Sequence, residues 1–99
     1  MQLKYKLSTT AQSIVANTIG FSVQTNCHSI ILDNVSDEDN VLIYFNNDEA
    51  NSYLLKKGTA VSLKTDNPDE LLADTIKIVF SSTISPHINI LKQTKTLIT

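Results

Sequence analysis

The sequence predicts an all-β protein, an antiparallel β-sandwich of about eight short strands. Three observations predict it. Apolar residues alternate with polar ones along most runs, and no window of helical length carries a 3.6-residue repeat. Thr, Val and Ile fill those runs, and branched side chains suit a pleated surface. Short polar clusters rich in Asn, Asp, Ser, Gly or Pro punctuate them. Eight such segments fit a jelly-roll-like sandwich or a small barrel, and the short, one-faced strands favour two packed sheets.

The elements follow in chain order. Leu3, Tyr5 and Leu7 alternate with Lys4 and Lys6, which predicts a half-buried first strand. Ile19, Phe21 and Val23 alternate with Gly20, Ser22 and Gln24 in a second. "HSIILD" places Ile30 and Leu32 on one face. "VLIYF" (41–45) is apolar throughout, which predicts a central strand covered on both sides. "SYLL" and "TAVSLKT" follow, the second with Val61 and Leu63 inward. "TIKIVFS" turns Ile76, Ile78 and Phe80 to one face, and "HINILK" does so with Ile88 and Ile90. Between them, "DNVSDEDN" (33–40) and "NNDEAN" (46–51) read as polar loops. Lys56-Lys57-Gly58 reads as the tight turn of a hairpin, with Gly58 free to take positive φ. Pro86 stands just before a strand, where a missing N–H does no harm.

One short helical turn is expected near residues 67–73. Asn67 can cap it, Pro68 suits the first helical position, and Asp69 and Glu70 favour the positive end of the dipole. Leu71 and Leu72 would give the turn a side to bury.

A chain of 99 residues makes one domain, 1–99, and its 41 % apolar content is ordinary for a folded one. Residues 1–27 depart from the pattern of the rest. "LSTTAQSIVANT" is rich in Ser and Thr, and reads either as added strands or as an arm lying on a neighbouring subunit. At the other end "LKQTKTLIT" carries Leu97 and Ile98, which a lone domain must expose or pair. Such ends invite β-augmentation between subunits, or they pair with each other.

Charge narrows the partners. The net charge is −2, Arg is absent, and every basic residue is Lys, so nucleic acid is not an expected partner. No apolar run approaches the length of a membrane span and no signal peptide is read, so no membrane partner is expected. All acidic residues fall between Asp33 and Asp74. Alternating strand directions would gather Asp48, Glu49, Asp66, Asp69, Glu70 and Asp74 at one end of the sandwich. Asp48, Glu49, Asp69 and Glu70 are the candidates for docking a partner there. The spacing lacks the glycine and ligand order of a calcium loop, so solvated loops are the expectation.

Chemistry is not expected. Cys27, His28 and His87 are the only residues of their kinds, and adjacent strand residues such as Cys27 and His28 point to opposite faces. There is no glycine-rich phosphate loop and no nucleophile elbow. The chain therefore reads as a non-enzyme without cofactor or metal.

One stretch carries a resemblance. In "ILDNVSDEDNVLIYFNNDEANSYLLKKGTAVSLKTDNPDELLADTIKIVFSS", an apolar strand runs into "VLIYFNN" and a polar loop. A Leu-x-x-Gly-x-x-x-x-Leu segment follows (Leu55, Gly58, Leu63), and then an acidic segment leads into "TIKIVFS". Over residues 30–91 this resembles the small β-sandwich structural proteins of tailed-bacteriophage virions. The resemblance implies a sandwich, with Gly58 and the leucines as scaffold. It also implies a role as head decoration, neck or tail component, made in the host cytoplasm and found in the virion. Its partners would be copies of itself and other virion proteins, capsid, neck or tail. A second reading is a binding or adhesin module for a glycan or cell-surface protein, with Tyr44, Tyr53 and the Asn/Asp loops in contact. The absence of Trp weighs against sugars.

Overall fold

The computed structural model describes residues 4–15, 20–67, 69–82 and 84–98. Leu3, Ile19 and Pro68 lie outside the described residues. Eight strands form: β1 (Lys4–Val15), β2 (Gly20–Gln24), β3 (Ser29–Asn34), β4 (Val41–Phe45), β5 (Tyr53–Leu55), β6 (Ala60–Lys64), β7 (Thr75–Phe80) and β8 (His87–Ile98). They make two four-stranded sheets, ordered β1-β8-β3-β6 and β2-β7-β4-β5, with every pairing antiparallel. Each connection changes sheet except β4 to β5, and this order is that of a jelly roll built from two Greek keys.

The alternation read from the sequence is what closes the core. Ile30, Leu32, Ile88 and Ile90 point inward from the first sheet, and Val41, Ile43, Leu55, Ile76, Ile78 and Phe80 from the second. Val61 and Leu63 pack on this cluster, as their parity requires. β4 is central, but only its inner face is covered. Leu42 and Tyr44 are half-buried on the outer face, which no layer of the chain covers among the described residues.

The Lys-Lys-Gly turn departs from expectation. It does not close a hairpin: β5 pairs with β4 in one sheet and β6 with β3 in the other, so the turn arches between sheets. Leu55 and Val61 enter one core from opposite sides. A hairpin would bury the same side chains, so alternation could not separate the two. Gly58 does take positive φ, +74°, with Thr59 N–H donating to Lys56 O (3.1 Å), which is type II turn geometry. A Cβ built there meets nothing within 4 Å, so substitution costs backbone strain alone. Gly58→Val should lose about 1 kcal/mol or more in urea unfolding, and Gly58→Asn less, since Asn tolerates this region. Equal losses would remove φ as the cause.

The expected helical turn is also corrected, since the described residues contain no helix. Asn67 still caps, its Oδ1 accepting from Asp69 N–H (2.9 Å), while Glu70 N–H donates to Asn67 O (3.0 Å). One turn closes and stops. Leu72 then forms an antiparallel bridge with Cys27, which fixes extended backbone where a helix would have continued, and Leu71 stays exposed.

The termini pair with each other. β1 and β8 match residue for residue from Lys4 opposite Ile98 to Val15 opposite His87. β1 is thus one strand of 12 residues, far longer than the Leu3–Leu7 alternation suggested, and it is not half-buried. Tyr5 and Leu7 are exposed; Ile14 is the β1 residue that packs on the core. β3 accompanies β8 only from Ile88 to Gln93. Beyond it, Thr94–Ile98 and their partners Lys4–Ser8 run on as a two-stranded ribbon, and the molecule measures 52 × 26 × 18 Å.

Candidate functional site

The acidic loops do share one end, and there they hold each other. Asn46 Nδ2 donates to Asp74 Oδ1 (2.8 Å), and Thr75 N–H donates to Asn46 Oδ1 (3.0 Å), so loops 46–51 and 65–74 meet. Asn46 and Asn47 reverse the chain with φ of 53° and 62°, values Asn reaches more readily than other side chains. Asp48 Oδ2 accepts from Asn51 Nδ2 (3.0 Å), and Glu49 lies 3.8 Å from Lys77. Asp69 and Glu70 are exposed. Among the described residues no three His, Cys, Asp or Glu groups converge as a metal site would need.

The opposite end is the better built. Asn34 is the next inward position after Ile30 and Leu32, and it is fully buried. Its Nδ2 donates to Asp39 O (2.9 Å) and Leu55 O (3.1 Å), and its Oδ1 accepts from Ser36 N–H (3.1 Å). Its backbone accepts from Gly58 N–H (2.8 Å) and donates to Thr59 O (2.9 Å). Asp39, likewise buried, accepts from Ser82 Oγ, from Ser81 Oγ (3.0 Å), and from Ser85 through N–H (2.8 Å) and Oγ (3.3 Å). "DNVSDEDN" is therefore no solvated loop: three of its members, Asn34, Ser36 and Asp39, are buried. The polar-loop reading passes over Asn34, although parity continued from Ile30 and Leu32 reaches it; the serines that hold Asp39 sit over forty residues away, out of reach of any local pattern.

Those bonds, Ser82 foremost, hold the Asp39 carboxyl below its usual value, although burial pushes the other way. A depressed carboxylate contributes stability that is complete above its unfolded value, about 3.9, and is lost as pH falls through the folded one. Asp39→Asn should flatten the acid limb of a melting-temperature profile while lowering the neutral plateau, because an amide NH₂ would meet the Ser85 N–H. An unchanged acid limb would assign the loss to other groups.

The thiol and imidazoles are separate. Cys27 is buried, and burial raises its thiol despite Lys92 nearby, which suits an inert side chain. His28 Nδ1 accepts from Lys95 N–H (2.9 Å), while His87 Nε2 lies 2.8 Å from Ser13 Oγ. Lys95 and His87 are eight residues apart on one strand, roughly 27 Å. The imidazoles thus anchor opposite stretches of β8.

The tyrosines also part company. Tyr53 stands opposite Ile43, and Tyr44 is the next residue of β4, so the two belong to opposite faces of the sheet.

What remains is surface. Ala11, Ile31 and Leu91 line a shallow groove of about 430 Å³ on the outer face of the first sheet, rimmed by Ser13, Asp33 and Asn89. Leu42, Leu54 and Val79 line a smaller depression of about 190 Å³ on the second. Leu97 and Ile98 are half exposed on the ribbon, Leu97 opposite Tyr5 and Ile98 opposite Lys4. β1 forms a sheet edge 12 residues long, without partner on its far side among the described residues, and all its residues but Ile14 are exposed. Comparisons with family models, curated proteins and solved structures find no match to this chain.

Proposed function

We propose that the protein is a non-enzymatic structural component of a tailed-phage virion, a head decoration or a neck or tail part. It works by assembly, with other copies and with capsid, neck or tail protein. The observation that carries the reading is β1. Edge strands in soluble monomers are usually short, bulged or covered, and this one is long, regular and bare. The groups that could do chemistry are engaged in structure: Asp39 by serines, Cys27 by burial, the imidazoles by contacts along β8. Jelly rolls serve in capsids and in lectins alike, so the fold alone decides nothing. The adhesin reading loses its stacking platform because Tyr44 and Tyr53 lie on opposite faces.

Mass spectrometry of purified particles from the source culture tests the proposal. Its peptides should co-purify in fixed ratio to the major capsid protein through a density gradient. Their presence in the lysate but not in the particles would overturn it.

A further inference from the structure

We infer that the free edge of β1 pairs antiparallel with β1 of a second copy, about a two-fold axis through Thr10. The inference rests on the assembly reading above and names its first partner. It would join the two first sheets into one of eight strands, with the two β1 strands at its centre.

Three observations select a second copy as the occupant. The first is the ladder. β1 matches β8 one to one over 12 residues, with no bulge and no proline, so its far edge is an unbroken row of main-chain groups roughly 40 Å long. From Ser8 to Val15 it carries none of the charges, bulges or prolines that deter pairing.

The second is charge. β1 has only Lys4 and Lys6, both at its start, and its second half is uncharged. A parallel partner copy would set lysine against lysine. An antiparallel one sets Lys6 against the uncharged second half and separates like charges along the strand. The strand is thus self-complementary in one direction only.

The third is the apolar pattern. A two-fold axis normal to the sheet keeps each residue on its own face, so opposed residues share parity and the axis passes through a residue; overlap of Lys4–Val15 is longest at Thr9 or Thr10. Through Thr10, Tyr5 of each copy meets Val15 of the other, an aromatic against a branched side chain, and Val15 is otherwise 74 % exposed. The same arrangement carries the outer-face Leu7 alongside Ser13 of the second copy, next to the groove of Ala11, Leu91 and Ile31. It also cures a weakness of the lone chain. The projecting ribbon has only two strands, a marginal structure in water, and pairing lays it against the body of the neighbour.

The test uses Thr10, exposed in the single chain. Wild-type protein should have twice the chain mass by light scattering across a micromolar dilution series. Thr10→Lys places two ammonium groups together on the axis and should weaken the dimer about fivefold or more. Thr10→Glu should weaken its own dimer likewise. An equal mixture of the two variants should recover wild-type affinity, with circular dichroism unchanged throughout. Monomeric wild-type protein, or a mixture no tighter than either variant, would overturn the pairing. Peptides recovered from particles alongside a monomeric free protein would sink this dimer and leave the virion reading standing. A Thr10-dependent dimer absent from particles would do the reverse.

Discussion

Asn34→Ala should destabilise the protein by about 2 to 4 kcal/mol, because the change takes a hydrogen bond from each of three buried main-chain groups. Asp39 O and Leu55 O lose the Asn34 amide as a donor, Leu55 keeping its ladder pairing with Val41, and Ser36 N–H loses its acceptor. Each unpaired group costs about 1 to 3 kcal/mol, the carbonyls at the lower end. Urea unfolding would show the midpoint falling with little change of slope, which places the loss in the folded state. Volume is the competing explanation, since Ala also leaves a hole. Asn34→Leu separates them: it fills the space and restores no hydrogen bond, so it should be no more stable than Ala. If Leu recovers most of the loss, Asn34 is packing and not a hub.

The consequence reaches beyond β3. Asn34 joins the ends of both sheets: Leu55 closes β5 in one, while Gly58 and Thr59 lead into β6 in the other. Loosening it frees the interlayer arch and the segment that carries Asp39. The outer faces and the β1 edge depend less on this end, since β1 is held by β8 along its whole length. An Asn34 variant that still folds at low temperature should therefore keep its ability to associate.

How much of this was legible in the sequence depends on the range of the interaction. Alternation is local, so the strand positions and the inward sides of β3, β6, β7 and β8 were readable from Ile30, Val61, Ile76 and Ile88 alone. Sheet membership is not local. Leu55 and Val61 look the same whether their strands pair or face each other across a core, so the local pattern at Gly58 suits a hairpin as well as the arch. The turn at Asn67 grows no further into a helix for a related reason: Asn67 does cap, but the bridge from Leu72 to Cys27 imposes extended backbone that no neighbouring residue announces. The length of β1 has no local signal because Ser, Thr and Gln occupy its middle, and an edge strand exposed on both faces needs no apolar alternation. Asp39 was hidden among solvated acids, as the serines that bury it lie beyond β7.

Phe80→Ala is the second large effect expected, about 3 to 5 kcal/mol. Phe80 is the largest fully buried side chain, 1 % exposed at the end of β7, opposite Val41 and with its ring centroid 6.0 Å from that of Phe21. Its removal takes away apolar area and opens a hole that β-sheets, tied by their ladders, relax poorly to fill. A domain of this size has a total stability of about 5 to 15 kcal/mol, so the variant sits near the threshold of folding. There, association becomes visible in the melting curve. Anything that binds only the folded chain stabilises it by mass action, so a Phe80→Ala protein that pairs through β1 should melt higher as its concentration rises. The same protein with Thr10→Lys added should melt with a weaker dependence on concentration. A melting temperature indifferent to concentration in both would show that the core carries the fold without help from a second copy.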